Sequence, residues 1–138
     1  MMTMFDKSQN LFALIARVLM AALFLPAGIS KIAGFAGTVG YISSVGLPMP
    51  ELGAAIAVVV EVGGALALLF GFHTRWAALL MALFTVVAGV FFHAFWNAAP
   101  EAMQMQQIMF MKNIAIAGGL LALTAFGAGS ISLDTRKS

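Results

Sequence analysis

The chain has 138 residues, of which 62% are apolar and 9% are charged, and its formal net charge is +2. Soluble domains carry about 25% charged residues, so this composition excludes an ordinary soluble domain and favours an integral membrane protein. No basic cluster suggests a nucleic-acid interface. Without cysteine, the chain has no thiolate for an iron–sulfur cluster or for thiol redox chemistry.

Residues 11–31 form the first predicted span, because about twenty apolar residues in a helix cross the roughly 30 Å hydrocarbon core of a bilayer. Arg17 lies inside this run, and Pro26 is expected to kink its outer third. Residues 32–51 contain too many glycines for a continuous span. Apolar residues recur there every three or four positions, which predicts a short helix lying in the membrane interface, with Tyr41 in the aromatic belt.

Residues 52–72 form the second predicted span, with Glu61 near its middle. The third span, 76–96, follows a turn of about four residues, and the fourth, 107–127, precedes a polar tail. The predicted fold is therefore an all-α integral membrane four-helix bundle with a short interfacial helix between helices 1 and 2. Residues 1–138 are taken as a single membrane domain.

Basic residues in the short loops predict the orientation of the chain. With four spans, the side of the termini carries Lys7, Arg75, Arg136 and Lys137, whereas the other side carries Lys31. Four basic residues against one predict that both termini lie in the cytoplasm.

The charges inside the spans need partners, since an isolated ionisable group near the midplane costs about 3 kcal/mol on insertion scales. Depth counting puts Glu61 between Arg17 of the first span and Lys112 of the fourth, which has Asn113 beside it. This predicts a buried Arg17–Glu61–Lys112 network. Two interpretations stay open: a network that only sets helix register, or a polar pocket for a small ligand such as a quinone, or part of a proton path.

Weaker candidates carry competing explanations. His73 and His93 lie about 30 Å apart at opposite ends of one helix, so they cannot share one haem iron. His93 beside Trp96 suits the aromatic belt and capping better than a proton carrier. Four methionines between residues 103 and 111 could bind Cu(I), but flexible packing explains them better. No metal site, phosphate loop or Ser/His/Asp set is predicted.

Four stretches resemble the DoxX family of small bacterial membrane proteins: FLPAGISKIAGFAGTVGYISSVGLPMP, EVGGALALLFGFHTR, FMKNIAIAGGLLAL and GAGSISLD. The resemblance runs from Arg17 to Asp134 with its spacing intact. It implies that the charged positions are family motif residues, namely Arg17, Lys31, Glu61, Lys112 and Asn113. Ala128 departs from the family, which usually has proline there.

The resemblance implies quinone-linked redox chemistry, since relatives include a subunit of a thiosulfate:quinone oxidoreductase and partners of redox enzymes. The expected function is a quinone-linked oxidoreductase subunit or accessory protein. Its expected ligand site is Arg17, Glu61, Lys112 and Asn113, with Lys31 and His93 as secondary candidates. No intrinsic cofactor is expected, and quinone is the candidate ligand.

The expected partners are the lipid bilayer, a redox enzyme and a second copy of the chain. The alternative function is a non-catalytic scaffold that recruits a soluble redox enzyme through its cytoplasmic face, including residues 134–138. A small transporter fits less well, because four spans leave little room for alternating access.

Overall fold

The computed structural model describes residues 1–137, and all its long elements are helices, with no strand in that range. Four helices are long and apolar enough to cross a membrane. They are α1 (Met4–Ala33), α3 (Pro50–Phe70), α4 (Thr74–Phe92) and α5 (Pro100–Phe126), and a shorter helix, α2 (Phe35–Ser44), follows α1. Single 3-10 turns lie at Phe95–Asn97 and Asp134–Lys137. The predicted all-α membrane bundle of four helices is confirmed.

Helix α1 begins seven residues before the predicted start at residue 11. Thr3 and Asp6 form a capping box, in which Thr3 Oγ1 accepts a hydrogen bond from Asp6 N at 3.2 Å. The Asp6 carboxylate in turn accepts one from Thr3 N at 2.7 Å. These bonds satisfy orphan N–H groups of the first turn, so the helix starts where the cap lies rather than where the apolar run begins.

Helix α5 also begins earlier than predicted, at Pro100 instead of residue 107. Proline in the first turn and the carboxylate of Glu101 beside it are typical of a helix start. The methionines and glutamines that follow are good helix formers, so the polar connection continues as helix. Helix α2 lies where a short helix was predicted, but its position in a membrane interface stays a prediction.

The four long helices pack as two pairs. Helix α1 packs on α3 and α4 packs on α5, while α1 and α5 barely touch each other. The α3–α4 hairpin joins the pairs, and α2 covers the first part of α3. Each long helix contributes to the shared core, through Phe24, Leu68, Met81 and Leu120 respectively.

Many large apolar side chains face outward on all four long helices, including Leu19, Leu66, Leu83 and Leu121. In water such a surface would be far larger than the apolar patches that monomeric soluble proteins tolerate. A lipid environment removes that cost, so the surface agrees with the composition. Which side of the membrane the termini face stays a prediction.

Candidate functional site

Within residues 1–137, Lys31 of α1 and Glu61 of α3 form an ion pair. Lys31 Nζ donates a hydrogen bond to Glu61 Oε1 at 3.1 Å and lies 3.0 Å from Oε2. The Glu61 side chain is 8% exposed and that of Lys31 31% exposed. The pair therefore has one buried end and one end that is accessible from outside the bundle.

Glu61 lies on an irregular turn of α3. Residues Val59–Gly63 form one π-helical turn within an otherwise α-helical segment. Such π-bulges are rare and frequently occur at functional sites. The turn adds a residue to the helix and so redirects the side chains around Glu61.

Gly28 brings α1 close to this turn. A Cβ atom on Gly28 would lie 2.6 Å from Val62 Cγ2 and 3.0 Å from Glu61 Cβ, so glycine is needed for the close approach. Residues three apart share a helix face, which puts Lys31 on the same side of α1 as Gly28. The close approach and the ion pair are thus parts of one contact between α1 and α3.

Arg17 of α1 is fully buried beside the carboxyl end of α3. Its Nη1 donates to the carbonyl of Leu68 at 3.0 Å and to that of Leu69 at 3.4 Å, and its Nη2 donates to the carbonyl of Ile131. Nε has no partner within residues 1–137. Carbonyls in the last turn of a helix lack their usual helical partners and attract cations. Arg17 thus caps the carboxyl end of α3.

The polar tail folds back onto the turn between α3 and α4. Leu133 N donates to the Phe70 carbonyl at 3.0 Å, and Asp134 N donates to the Gly71 carbonyl at 2.8 Å. Gly71 has φ +67°, and a Cβ there would collide with Ser132. Only glycine meets both conditions without strain, so the turn is built to receive the tail.

Asp134 caps the amino end of α4. Its carboxylate accepts hydrogen bonds from His73 N at 2.6 Å and from Thr74 N at 3.0 Å. Burial raises the pKa of this carboxyl, but hydrogen bonds from Thr74 and His73 outweigh burial and hold the pKa below its usual value. A residue sixty positions away in the chain therefore supplies the N-cap of α4.

The other predicted site residues lie apart from the ion pair. Lys112 is exposed and makes no ion pair with any described residue. Asn113 Nδ2 donates to the Thr85 carbonyl at 3.1 Å, and His93 Nδ1 lies 2.9 Å from Gln106 Oε1. Both contacts join α4 to α5. No group of three or more His, Cys, Asp or Glu side chains in the described range could hold a metal ion.

The predicted Arg17–Glu61–Lys112 network is wrong in its partners. Glu61 pairs with Lys31, Arg17 binds backbone carbonyls, and Lys112 points away from the core. Depth counting gives the height of each Cα atom but not the direction of the side chain, and long cationic side chains reach toward whichever end offers them oxygen or water. A ligand-binding role for these residues stays a prediction.

Neither the pairing of Lys31 with Glu61 nor the docking of the tail is predicted from the sequence. Gly28 and Lys31 share a helix face, and that pattern could have indicated a close contact with a charge beside it. The closing GAGSISLD stretch carries the family resemblance. Its Asp134 precedes no predicted span, and this could have suggested an N-cap supplied to a distant helix.

The DoxX family model matches residues 12–94. Inner membrane protein YphA of Escherichia coli (strain K12) is 42% identical over 132 residues, which cover 96% of this chain and 94% of that protein. Inner membrane protein YqjF of the same strain is 42% identical over 93% of each chain. A Bacillus subtilis (strain 168) protein named "Putative oxidoreductase CatD" is 33% identical over 56% of this chain and 57% of its own.

No solved structure matches the chain significantly. The two Escherichia coli names agree with the four apolar helices. Together they indicate a multi-pass protein of the bacterial inner membrane.

Proposed function

Because the chain belongs to the DoxX family of membrane proteins, we propose that it is a subunit or accessory protein for quinone-linked redox chemistry. Its Lys31–Glu61 pair would bind the polar head of the quinone. The observation that carries this proposal is the pair itself, a buried carboxylate on a π-turn facing a partly exposed ammonium. The name of the related Bacillus protein describes an oxidoreductase, and this supports redox chemistry as the class of function.

The pair offers a hydrogen-bond donor and an acceptor side by side. The Lys31 ammonium has three N–H donors, and the Glu61 carboxylate has lone pairs for a hydroxyl donor. A quinone carries carbonyl oxygens when oxidised and hydroxyl groups when reduced, so both forms suit the pair. Bound quinone would supply the electron-carrying chemistry. Lys31 and Glu61 would orient its head and hold a proton at the carboxylate.

The exposed end of the pair also explains how a ligand would enter. Ionisable residues within spans are expensive and usually face a cavity or a partner. The Lys31 side chain is 31% exposed, so its ammonium can be reached from outside the bundle. A quinone arriving from the lipid could therefore reach the ammonium without separating α1 from α3.

The test uses calorimetry to measure how tightly a short-chain quinone binds to the purified protein in detergent. The parent protein is compared with the Glu61→Gln variant. Hydrogen bonds to charged groups contribute about 1.5–3 kcal/mol, so we expect binding to weaken about tenfold or more. Glu51→Gln is the matched control, because Glu51 is an exposed carboxylate in the first turn of the same helix. It should bind quinone like the parent protein.

Lys31→Gln should weaken binding to a similar extent, since it removes the donor. Thermal unfolding of each variant separates a lost ligand from a lost fold. Parent-like binding by a folded Glu61→Gln protein would contradict the proposal.

The scaffold alternative draws less support. It places recruitment on the cytoplasmic face, including residues 134–138, but Asp134 of this tail is engaged by the α3–α4 turn. Ser138 lies outside the described residues. A pull-down from membranes with a tail variant would test this alternative directly.

A further inference from the structure

A groove opens between α1 and α5 in the half of the bundle near the termini. Its volume is about 650 Å³, and its walls are mostly apolar, with small residues at Ala13 and Ala16 on α1 and at Gly119 and Ala122 on α5. The two helices barely touch there, although each packs closely on another helix. The seam therefore leaves a lipid-facing groove, which the Met20 side chain of α1 crosses at Gly119 of α5.

A second, more polar cavity of about 480 Å³ lies on the face of the termini. Its lining includes Arg75 and Trp76 from the start of α4 and Asp134 from the tail. Gly127 and Gly129, which follow α5, line both this cleft and the apolar groove. The apolar groove and the polar cleft therefore adjoin at these glycines.

The Arg75 guanidinium lies at this junction. A Cβ atom on Gly127 would be 3.2 Å from Arg75 Nε and 3.7 Å from Nη2. Arg75 is exposed and makes no ion pair within residues 1–137. The Asp134 carboxylate in the same cleft accepts hydrogen bonds from two backbone N–H groups and makes no ion pair with Arg75. Trp76 is 74% exposed and suits the headgroup level of a membrane.

We propose that this combined site binds one anionic phospholipid, with an acyl chain in the α1–α5 groove and its phosphate on Arg75. Guanidinium groups bind phosphate through two parallel N–H bonds. Along α1 the groove runs from Gln9 to Leu23, about 21 Å at helical rise. One leaflet contributes about 15 Å of hydrocarbon, so the groove can hold a whole chain.

This inference does not rest on the proposed quinone function. The groove lies in the half of the bundle near the termini, whereas Lys31 is in the last turn of α1 at the other end. A lipid seated in the groove would also fill the space that α1 and α5 leave between them. The two proposals can therefore fail separately.

The first test uses native mass spectrometry of the detergent-purified protein titrated with phosphatidylglycerol or phosphatidylcholine. We expect one phosphatidylglycerol to bind in preference to phosphatidylcholine. A basic residue near an anionic headgroup contributes roughly 1 kcal/mol, so Arg75→Gln should weaken phosphatidylglycerol binding about fivefold. Arg136→Gln is the matched control, since Arg136 is exposed and does not line the cleft.

The second test fills the groove. Ala122→Phe places a ring in it from an exposed position, so the fold should tolerate the change, and binding should fall at least as far as in Arg75→Gln. Ala125→Phe, also exposed on α5 but outside the groove, should bind like the parent.

Three outcomes would overturn the proposal: equal binding of the two lipids, equal losses in Arg75→Gln and Arg136→Gln, or parent-like binding in Ala122→Phe. Unfolding temperatures measured in the same detergent show whether any loss reflects misfolding. Binding of the quinone probe to Ala122→Phe should be unchanged, which keeps this site distinct from the Lys31–Glu61 pair.

Discussion

The two buried charged centres of the protein solve the same problem in different ways. At one end of α3, Arg17 gives its terminal nitrogens to backbone carbonyls, and the tail closes over it. In the middle of α3, Glu61 is answered by a single flexible cation, Lys31. The first solution uses oxygens that have fixed positions, whereas the second uses a side chain that can move.

We expect this difference to separate a structural role for Arg17 from the proposed ligand-binding role of the Lys31–Glu61 pair. The carbonyls around Arg17 come from two segments, the end of α3 and the tail, so the guanidinium joins parts of the chain that are far apart in sequence. The Lys31–Glu61 pair joins only α1 to α3, and a ligand could replace part of it without disturbing the backbone. We therefore expect changes at Arg17 to affect folding and changes at Glu61 to affect binding.

The largest effect is expected for Arg17→Ala. This change removes the donor of two carbonyls at the end of α3, and each buried acceptor left unsatisfied costs about 1–3 kcal/mol. Thermal unfolding in detergent should show a large fall in midpoint. Arg17→Lys should recover only part of the loss, because an ammonium lacks the planar fork that reaches several carbonyls at once.

Arg136→Gln serves as the control for this change, since it removes an exposed arginine from the same face. It should change the free energy of unfolding by no more than about 0.5 kcal/mol, which is the range of ordinary surface substitutions. An Arg17→Ala protein as stable as the Arg136→Gln protein would contradict the structural role of Arg17.

An intermediate effect is expected for Asp134→Asn. Weakening an N-cap costs about 1 kcal/mol, and asparagine keeps one oxygen but loses the charge. The pKa of Asp134 is lowered in the folded protein. Its ionised form therefore contributes stability above the ordinary aspartate value of about 4, and this contribution is lost as the pH falls through the folded-state pKa.

The measurement is the unfolding midpoint of both proteins between neutral pH and about pH 3. The parent should be more stable at neutral pH, and the difference should shrink in acid because the parent carboxyl becomes protonated. A gap that is independent of pH would contradict the capping role of the ionised group.

The number and type of long helices could be predicted from the sequence because apolar runs report directly on membrane spans. Two helix starts could not be predicted from hydropathy. The capping box at Thr3 and the proline at Pro100 extend α1 and α5 beyond their apolar runs. In both cases local hydrogen bonding and dihedral preference, rather than hydrophobicity, decide where the helix begins.

The candidate site was only partly predictable. Glu61 stood out because a carboxylate in an apolar run needs a partner, and it is the centre of the ion pair. Its partner could not be identified, because the choice between Lys31 and Lys112 depends on how the helices are rotated and paired. The docking of Asp134 on α4 was also hidden, since it depends on where the chain turns after Gly127.

The smallest effect is expected for Lys112→Gln, which separates the observed pairing from the predicted network. Lys112 is exposed and has no ion-pair partner among residues 1–137, so its loss should change the free energy of unfolding by less than about 0.5 kcal/mol. Quinone binding should also remain at the parent level. If Lys112→Gln instead matched Glu61→Gln in both measurements, Lys112 would have to approach the carboxylate, and Lys31 would lose its place as the partner. The comparison of these two variants in one detergent thus decides which lysine completes the buried charge of α3.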